Sequence, residues 1–164
     1  MTALTPGTQA PDFDLPTVDG KHFSLHEAVA RGPVVAAFFK ISCPVCQFAF
    51  PFLERIYQAN DKAKVTIIGI SQNEKKETAS FLNEYGITFH VLLDDTSAYP
   101  VSNAYGLTNV PSIFWIGQDQ EIEISSVGWV RKDIEEIHCK AGAITGNRAP
   151  VIRVDEQVAD FRAG

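Results

Sequence analysis

Six apolar residues in a row, Val34-Val35-Ala36-Ala37-Phe38-Phe39, run through Lys40-Ile41-Ser42 into Cys43-Pro44-Val45-Cys46. A strand with apolar side chains at both alternating sets of positions must be covered on both faces, so this run predicts a central strand. After the cysteines, Val45, Phe48, Ala49, Phe52, Leu53 and Ile56 recur at helical spacing and describe one buried helix face. Pro51 lies inside that helix and is expected to kink it, because it cannot donate to the carbonyl of Gln47. The chain therefore has to fold around a buried strand that passes directly into an amphipathic helix, with a C-x-x-C at the join.

The remaining pattern supplies partners for that strand. Phe13-Asp14-Leu15 and Lys21-His22-Phe23 flank a Val18-Asp19-Gly20 turn signal, which predicts a small hairpin ahead of the main sheet. Ser24-Leu25-His26-Glu27 has capping-box spacing and opens a short helix that ends at Gly32-Pro33. Val65 to Ile70 reads as a second buried strand. A polar helix from Glu74 to Tyr85 follows, with Gly86 as its stop. Phe89 to Leu93 reads as a third strand, Ala98 to Tyr105 as a short helix, and Pro111 to Ile116 as a fourth strand turning through Gly117-Gln118-Asp119 into Glu121 to Val127. Ile134, Ile137, His138 and Ala141 keep helical spacing up to Gly142, where a terminal helix is expected to stop. The expected fold class is α/β, with a central mixed sheet flanked by helices. The expected organisation is one domain over 1–164, with its core at about 7–142 and an extended tail at 143–164 lying on it.

Composition excludes several functions. The net charge of the 164-residue chain is −6, so it lacks the cationic surface that a phosphate backbone attracts, and no nucleic-acid partner is expected. No apolar stretch is long enough to cross a bilayer, and the first ten residues do not read as a signal peptide. No membrane partner is expected, and the location expected is cytoplasmic, provided no leader has been removed.

Three cysteines are too few for a disulfide scaffold, and an odd count leaves one thiol unpaired, so cysteine here is expected to serve chemistry. At a helix start, free backbone N–H groups and the positive end of the dipole stabilise a thiolate, which makes Cys43 the candidate nucleophile. Cys46 lies one turn further on the same face and can attack a mixed disulfide on Cys43. A zinc site is the first alternative. It would need two more ligands, yet there is no second C-x-x-C, and His22, His26, His90 and the His138-Cys139 pair are scattered. A structural disulfide is the second, although it would be unusual in a leaderless chain. Cys139 reads as a helix residue. No cofactor or metal is expected.

These residues resemble the TlpA-type redoxins of the thioredoxin superfamily, neighbours of the alkyl hydroperoxide reductase/thiol-specific antioxidant (AhpC/TSA) peroxiredoxins. The resemblance runs from about Gly7 to Cys139. It rests on Gly7-Thr8-Gln9-Ala10-Pro11-Asp12-Phe13-Asp14-Leu15, Asp19-Gly20-Lys21, Cys43-Pro44-Val45-Cys46 with Pro51, Tyr105-Gly106-Leu107 and Val110-Pro111-Ser112. It implies a thioredoxin-like fold with an amino-terminal hairpin, and a cis bond before Pro111 that faces the cysteine pair. It also implies a substrate surface of Pro44, Val45, Val110 and Pro111, with Val110 offering backbone groups to an extended substrate. The chain departs from the family at three places. Ala37 stands where thioredoxins carry a buried aspartate, Ala49 where TlpA-like proteins often carry a glutamate, and Ser42 where a tryptophan is common.

The function implied is a thiol-disulfide oxidoreductase with Cys43 and Cys46 as catalytic residues. It would act on protein or small-molecule disulfides and draw electrons from a thiol system such as thioredoxin reductase. The alternative is a thiol-dependent peroxidase of peroxiredoxin type, whose reactive cysteine sits in a Pro-x-x-x-Thr/Ser-x-x-Cys pattern. With Cys46 as that cysteine, Phe39 and Cys43 occupy the proline and threonine places; with Cys43, Ala36 and Lys40 do. Neither alignment supplies the pattern. A redox-inactive binding module is a third class, against which the intact cysteine pair argues.

Overall fold

A computed structural model of the protein describes residues 2–164. Its main sheet has five strands: β3 (Val34–Phe39), β4 (Thr66–Ser71), β5 (His90–Leu93), β6 (Ser112–Ile116) and β7 (Ile122–Val127). Their spatial order is β5-β4-β3-β6-β7, with β3 parallel to β4 and antiparallel to β6. Every residue of β3 is buried. Because side chains alternate across a strand, Val35, Ala37 and Phe39 enter one core while Val34, Ala36 and Phe38 enter the other. This is the mixed sheet with two covered faces that the continuous apolar run requires.

The first core lies under α2 (Pro44–Ala59) and α5 (Arg131–Thr145), and includes Phe50, Leu53 and Ile56 together with Trp129, Ile134 and Ile137, with the Phe52 ring packed against Trp129. The second lies under the amino-terminal hairpin, β1 (Asp14–Pro16) and β2 (His22–Ser24), and under α1 (Leu25–Arg31). The Ser24 hydroxyl caps α1 by accepting from the Glu27 N–H at 3.3 Å. Helix α3 (Lys75–Tyr85) ends at Gly86, which takes the left-handed conformation and returns its N–H to the carbonyl of Leu82.

Helix α2 runs from Pro44 to Ala59 with Pro51 inside it. The elements differ from the sequence reading in two places. Helix α5 does not stop at Gly142. It passes through that buried residue to Gly146, and a side chain at 142 would meet the Asn147 carbonyl, so the glycine answers a close approach instead of a chain reversal. The tail carries a short strand, β9 (Phe161–Arg162), paired antiparallel with β8 (Trp129–Val130).

The segment leading into Pro111 is held by a buried carboxylate. Asp94 accepts hydrogen bonds from the N–H groups of Asp95, Val101 and Ser102 and from the Ser102 hydroxyl, at 2.7 to 3.2 Å. Two of those N–H groups belong to the start of α4 (Pro100–Ala104), whose first turn has no intrahelical acceptors for them. Removing the carboxylate strands buried donors, so Asp94→Ala should lower stability by about 3 kcal/mol. Urea denaturation of the two proteins checks this, and a loss within ~0.5 kcal/mol would contradict it.

Candidate active site

The end of β3 is fixed before the first cysteine is reached. The Phe39 carbonyl accepts from the Gln72 N–H at 3.0 Å, and the Ile41 N–H donates to the Asn73 side chain at 3.0 Å. The Gln47 side chain, one turn into α2, donates back to the Ile41 carbonyl at 2.9 Å. Lys40 to Ser42 are thus tied both to the β4–α3 loop and to the helix that follows. The sequence reading missed Asn73 and Gln47, for which an amide that could bond backbone was the only available signal.

Cys43 is the N-cap of α2, with extended backbone at φ −83° and ψ 114°. Its Sγ accepts from the Cys46 N–H at 3.2 Å, and its carbonyl accepts from the Gln47 N–H at 3.0 Å. Pro44 occupies the first helical position, where its missing N–H leaves no donor unsatisfied. Cys43 is half-buried between exposed Ser42 and exposed Pro44, with Val45 half-buried beyond them. Cys46 has no exposed surface. Burial above all, then its hydrogen bonding with Cys43, pushes the Cys46 thiol far above its ordinary value. Ala37 and Ala49 are fully buried. A charge on Cys43 would therefore meet the Cys46 N–H, whereas a charge on Cys46 would be taken out of water at a cost greater than the backbone hydrogen bonds at Lys40 and Cys46 return.

The Val110–Pro111 peptide bond is cis, and the Cys43 thiol donates to the Val110 carbonyl at 3.4 Å. The loop is braced from both sides, by the Ser112 hydroxyl donating to the Asn109 carbonyl at 2.7 Å and by the Gly128 N–H donating to the Pro111 carbonyl at 2.8 Å. Gly128 has φ +76°, a conformation that favours glycine. Cys43, Cys46, Pro44, Val45, Val110 and Pro111 are thus gathered at one end of the sheet, and Gly128 joins them as a neighbour that the sequence reading did not name.

Cys139 is not part of this cluster. It is an exposed thiol on α5 and lines a cleft of about 530 Å³ with His138, Gly142 and Arg148, to which neither Cys43 nor Cys46 contributes. Among the described residues, no three His, Cys, Asp or Glu side chains come together as a possible metal cage.

Comparison with known proteins agrees with this geometry. The profile of the AhpC/TSA family matches residues 6–125. The chain is 30% identical to the thiol-disulfide oxidoreductase ResA of Halalkalibacterium halodurans, over 79% of this chain and 73% of that protein. It is also 30% identical to Rv2521 of Mycobacterium tuberculosis, a protein with a provisional peroxiredoxin name, over 76% of this chain and 85% of the relative. Among solved structures, the thioredoxin domain of the thiol-disulfide oxidoreductase BVU-2223 from Bacteroides vulgatus superposes with a TM-score of 0.75. That likeness covers 84% of this chain and 98% of that one at 20% identity, and it establishes the thioredoxin-like fold.

The buried Cys46 thiol has a consequence for stability. In the unfolded chain it ionises from about pH 9, whereas in the reduced folded protein burial keeps the proton on. Above that pH the unfolded state binds fewer protons than the folded one. The stability contributed by the neutral thiol is therefore complete below pH 9 and falls as pH rises, by about 1.4 kcal/mol per pH unit. Denaturation of reduced protein between pH 8 and 10.5 should show that Cys46→Ala has a shallower decline than wild type. Identical slopes would contradict burial of this thiol.

Proposed function

The chain belongs to the AhpC/TSA family, and from that premise we propose that it is a thiol-disulfide oxidoreductase in which Cys43 attacks and Cys46 resolves. The observation that carries this reading is the unequal setting of the two sulfurs: Cys43 is half-open and hydrogen-bonded by the Cys46 N–H at 3.2 Å, while Cys46 is sealed behind it.

In the reducing direction, the Cys43 thiolate attacks one sulfur of a substrate disulfide. A Cys43–S bond forms, the substrate S–S bond breaks, and the departing thiolate takes a proton from solvent. Cys46 then loses its proton and attacks the Cys43 sulfur. The Cys43–Cys46 disulfide forms and the second substrate thiolate leaves. The substrate has gained two electrons and the protein has lost two, and a thiol donor of the thioredoxin reductase kind restores the dithiol. No acid stands at position 37 or 49 to take the Cys46 proton, so water entering with the substrate is the acceptor this reading assigns. Pro44, Val45, Val110 and Pro111 form the surface on which the substrate sulfur is presented. The cytoplasm, where a dithiol rests reduced, is the compartment this reading takes as its place of work.

A peroxidase is the second reading, favoured by the likeness to Rv2521. Against it stand Phe39 and Cys43, or Ala36 and Lys40, in the places where peroxide-binding residues belong.

The two readings separate on mutants. Cys46→Ser should accumulate mixed disulfides on Cys43, and Cys43→Ser should fall to the uncatalysed exchange rate. Mass spectrometry of trapped adducts checks both, and adducts mainly on Cys46 would contradict the assignment. Wild-type protein should exchange disulfides much faster than it consumes hydrogen peroxide; fast peroxide consumption that survives Cys46→Ser would give Cys43 to the peroxidase reading.

A further inference from the structure

The tail returns to the site. Val158 and Ala159 present carbonyls to the Arg131 guanidinium at 3.2 Å and the Trp129 indole N–H at 2.6 Å, and the Asp160 carbonyl accepts from the Arg131 N–H at 2.9 Å. Strand β9 then pairs with β8, Trp129 opposite Arg162 and Val130 opposite Phe161. The Arg162 guanidinium lies over the Phe48 ring of α2, 4.1 Å from its centroid. The last residues cross Gly128 and Val110. A Cβ at Gly128 would come 2.6 Å from the Arg162 carbonyl, one at Gly164 would come 2.2 Å from the Val110 carbonyl, and the Asn109 side chain donates to the Gly164 carbonyl at 3.0 Å.

This is the edge that an extended polypeptide would use. Strand addition requires open backbone beside Val110, but Phe161 and Arg162 already pair with β8 and Gly164 lies against the Val110 carbonyl. Cys43 nevertheless stays half-open, between exposed Ser42 and exposed Pro44. A disulfide on a small molecule needs only that opening.

We propose that residues 158–164 occupy the strand-docking groove beside Cys43 and make the protein selective for low-molecular-weight disulfides over polypeptide disulfides. The inference rests on the oxidoreductase reading and names the substrate class of the same site. A protein substrate would have to displace the tail first, losing the β8 pairing and the Arg162–Phe48 contact before gaining any of its own.

The test compares second-order oxidation of the reduced 164-residue chain by bis(2-hydroxyethyl) disulfide and by insulin. Two variants loosen the tail by different means. Arg162→Glu replaces the cation over the Phe48 ring with an anion, and Gly164→Val drives a side chain into the Val110 carbonyl. Wild type should react with the small disulfide and far more slowly with insulin. Each variant should raise the insulin rate roughly tenfold, the factor that corresponds to about 1.4 kcal/mol of released contact, with the small-disulfide rate unchanged. Equal wild-type rates on the two substrates, or variants that leave their ratio unchanged, would overturn the tail's role. Silence toward both disulfides in wild type and variants would overturn the oxidoreductase reading itself, and the tail's role with it.

Discussion

Strand β3 is hydrogen-bonded along both edges and covered on both faces, so it has no freedom to shift relative to the sheet. A one-residue slip would exchange Val35, Ala37 and Phe39 with Val34, Ala36 and Phe38 between two differently shaped cores. The position of Cys43 follows from that rigidity. The strand ends at Phe39, the Asn73 and Gln47 amides hold the next residues, and Pro44 sets the first turn of α2. Strand β6 is bonded to the other edge of β3, which brings Pro111 to the same end of the sheet. The two halves of the site are therefore neighbours because they lie at the ends of adjacent strands.

The same architecture makes the sulfurs unequal. A helix start offers N–H groups only to what stands outside it, and Cys43 is the outside residue. One turn inward, Cys46 belongs to the core that contains Phe50 and Leu53, where only the neutral thiol is comfortable. The fully buried alanines at 37 and 49 belong to the same apolar core. Cys46 is thus kept uncharged by the packing that stabilises the fold, and Cys43 is kept accessible by the turn that begins the helix.

Much of this was legible in the sequence. The doubly apolar run from Val34 to Phe39, the helical spacing after Cys43 and the Ser24 cap are local patterns with one physical solution, and they appear as β3, α2 and α1. Gly86 reads correctly as a helix stop because nothing else needs a glycine there. Gly142 misleads because its reason is the Asn147 carbonyl packed against the helix, a contact that no local pattern encodes. The brace from Gly128 to Pro111 and the bonds from Asp94 to α4 escape sequence reading for the same cause: each depends on how the chain turns between the two partners, which no local pattern encodes. The tail was expected to lie on the protein, yet its path over Val110 depends on Trp129, Arg131 and Phe48 being assembled first. The cis bond at Pro111 came from family resemblance and not from the residue's own preference.

In the proposed function Cys43 and Cys46 form one redox pair, and Cys139 stands outside it. Mapping the disulfides of protein oxidised with one equivalent of a small disulfide tests this most directly. The expected product is a Cys43–Cys46 disulfide within one chain and a free thiol at Cys139. Cys43 bridged to Cys139 or to a second copy of the chain, or a sulfinic acid on Cys43 with Cys46 still reduced, would contradict it.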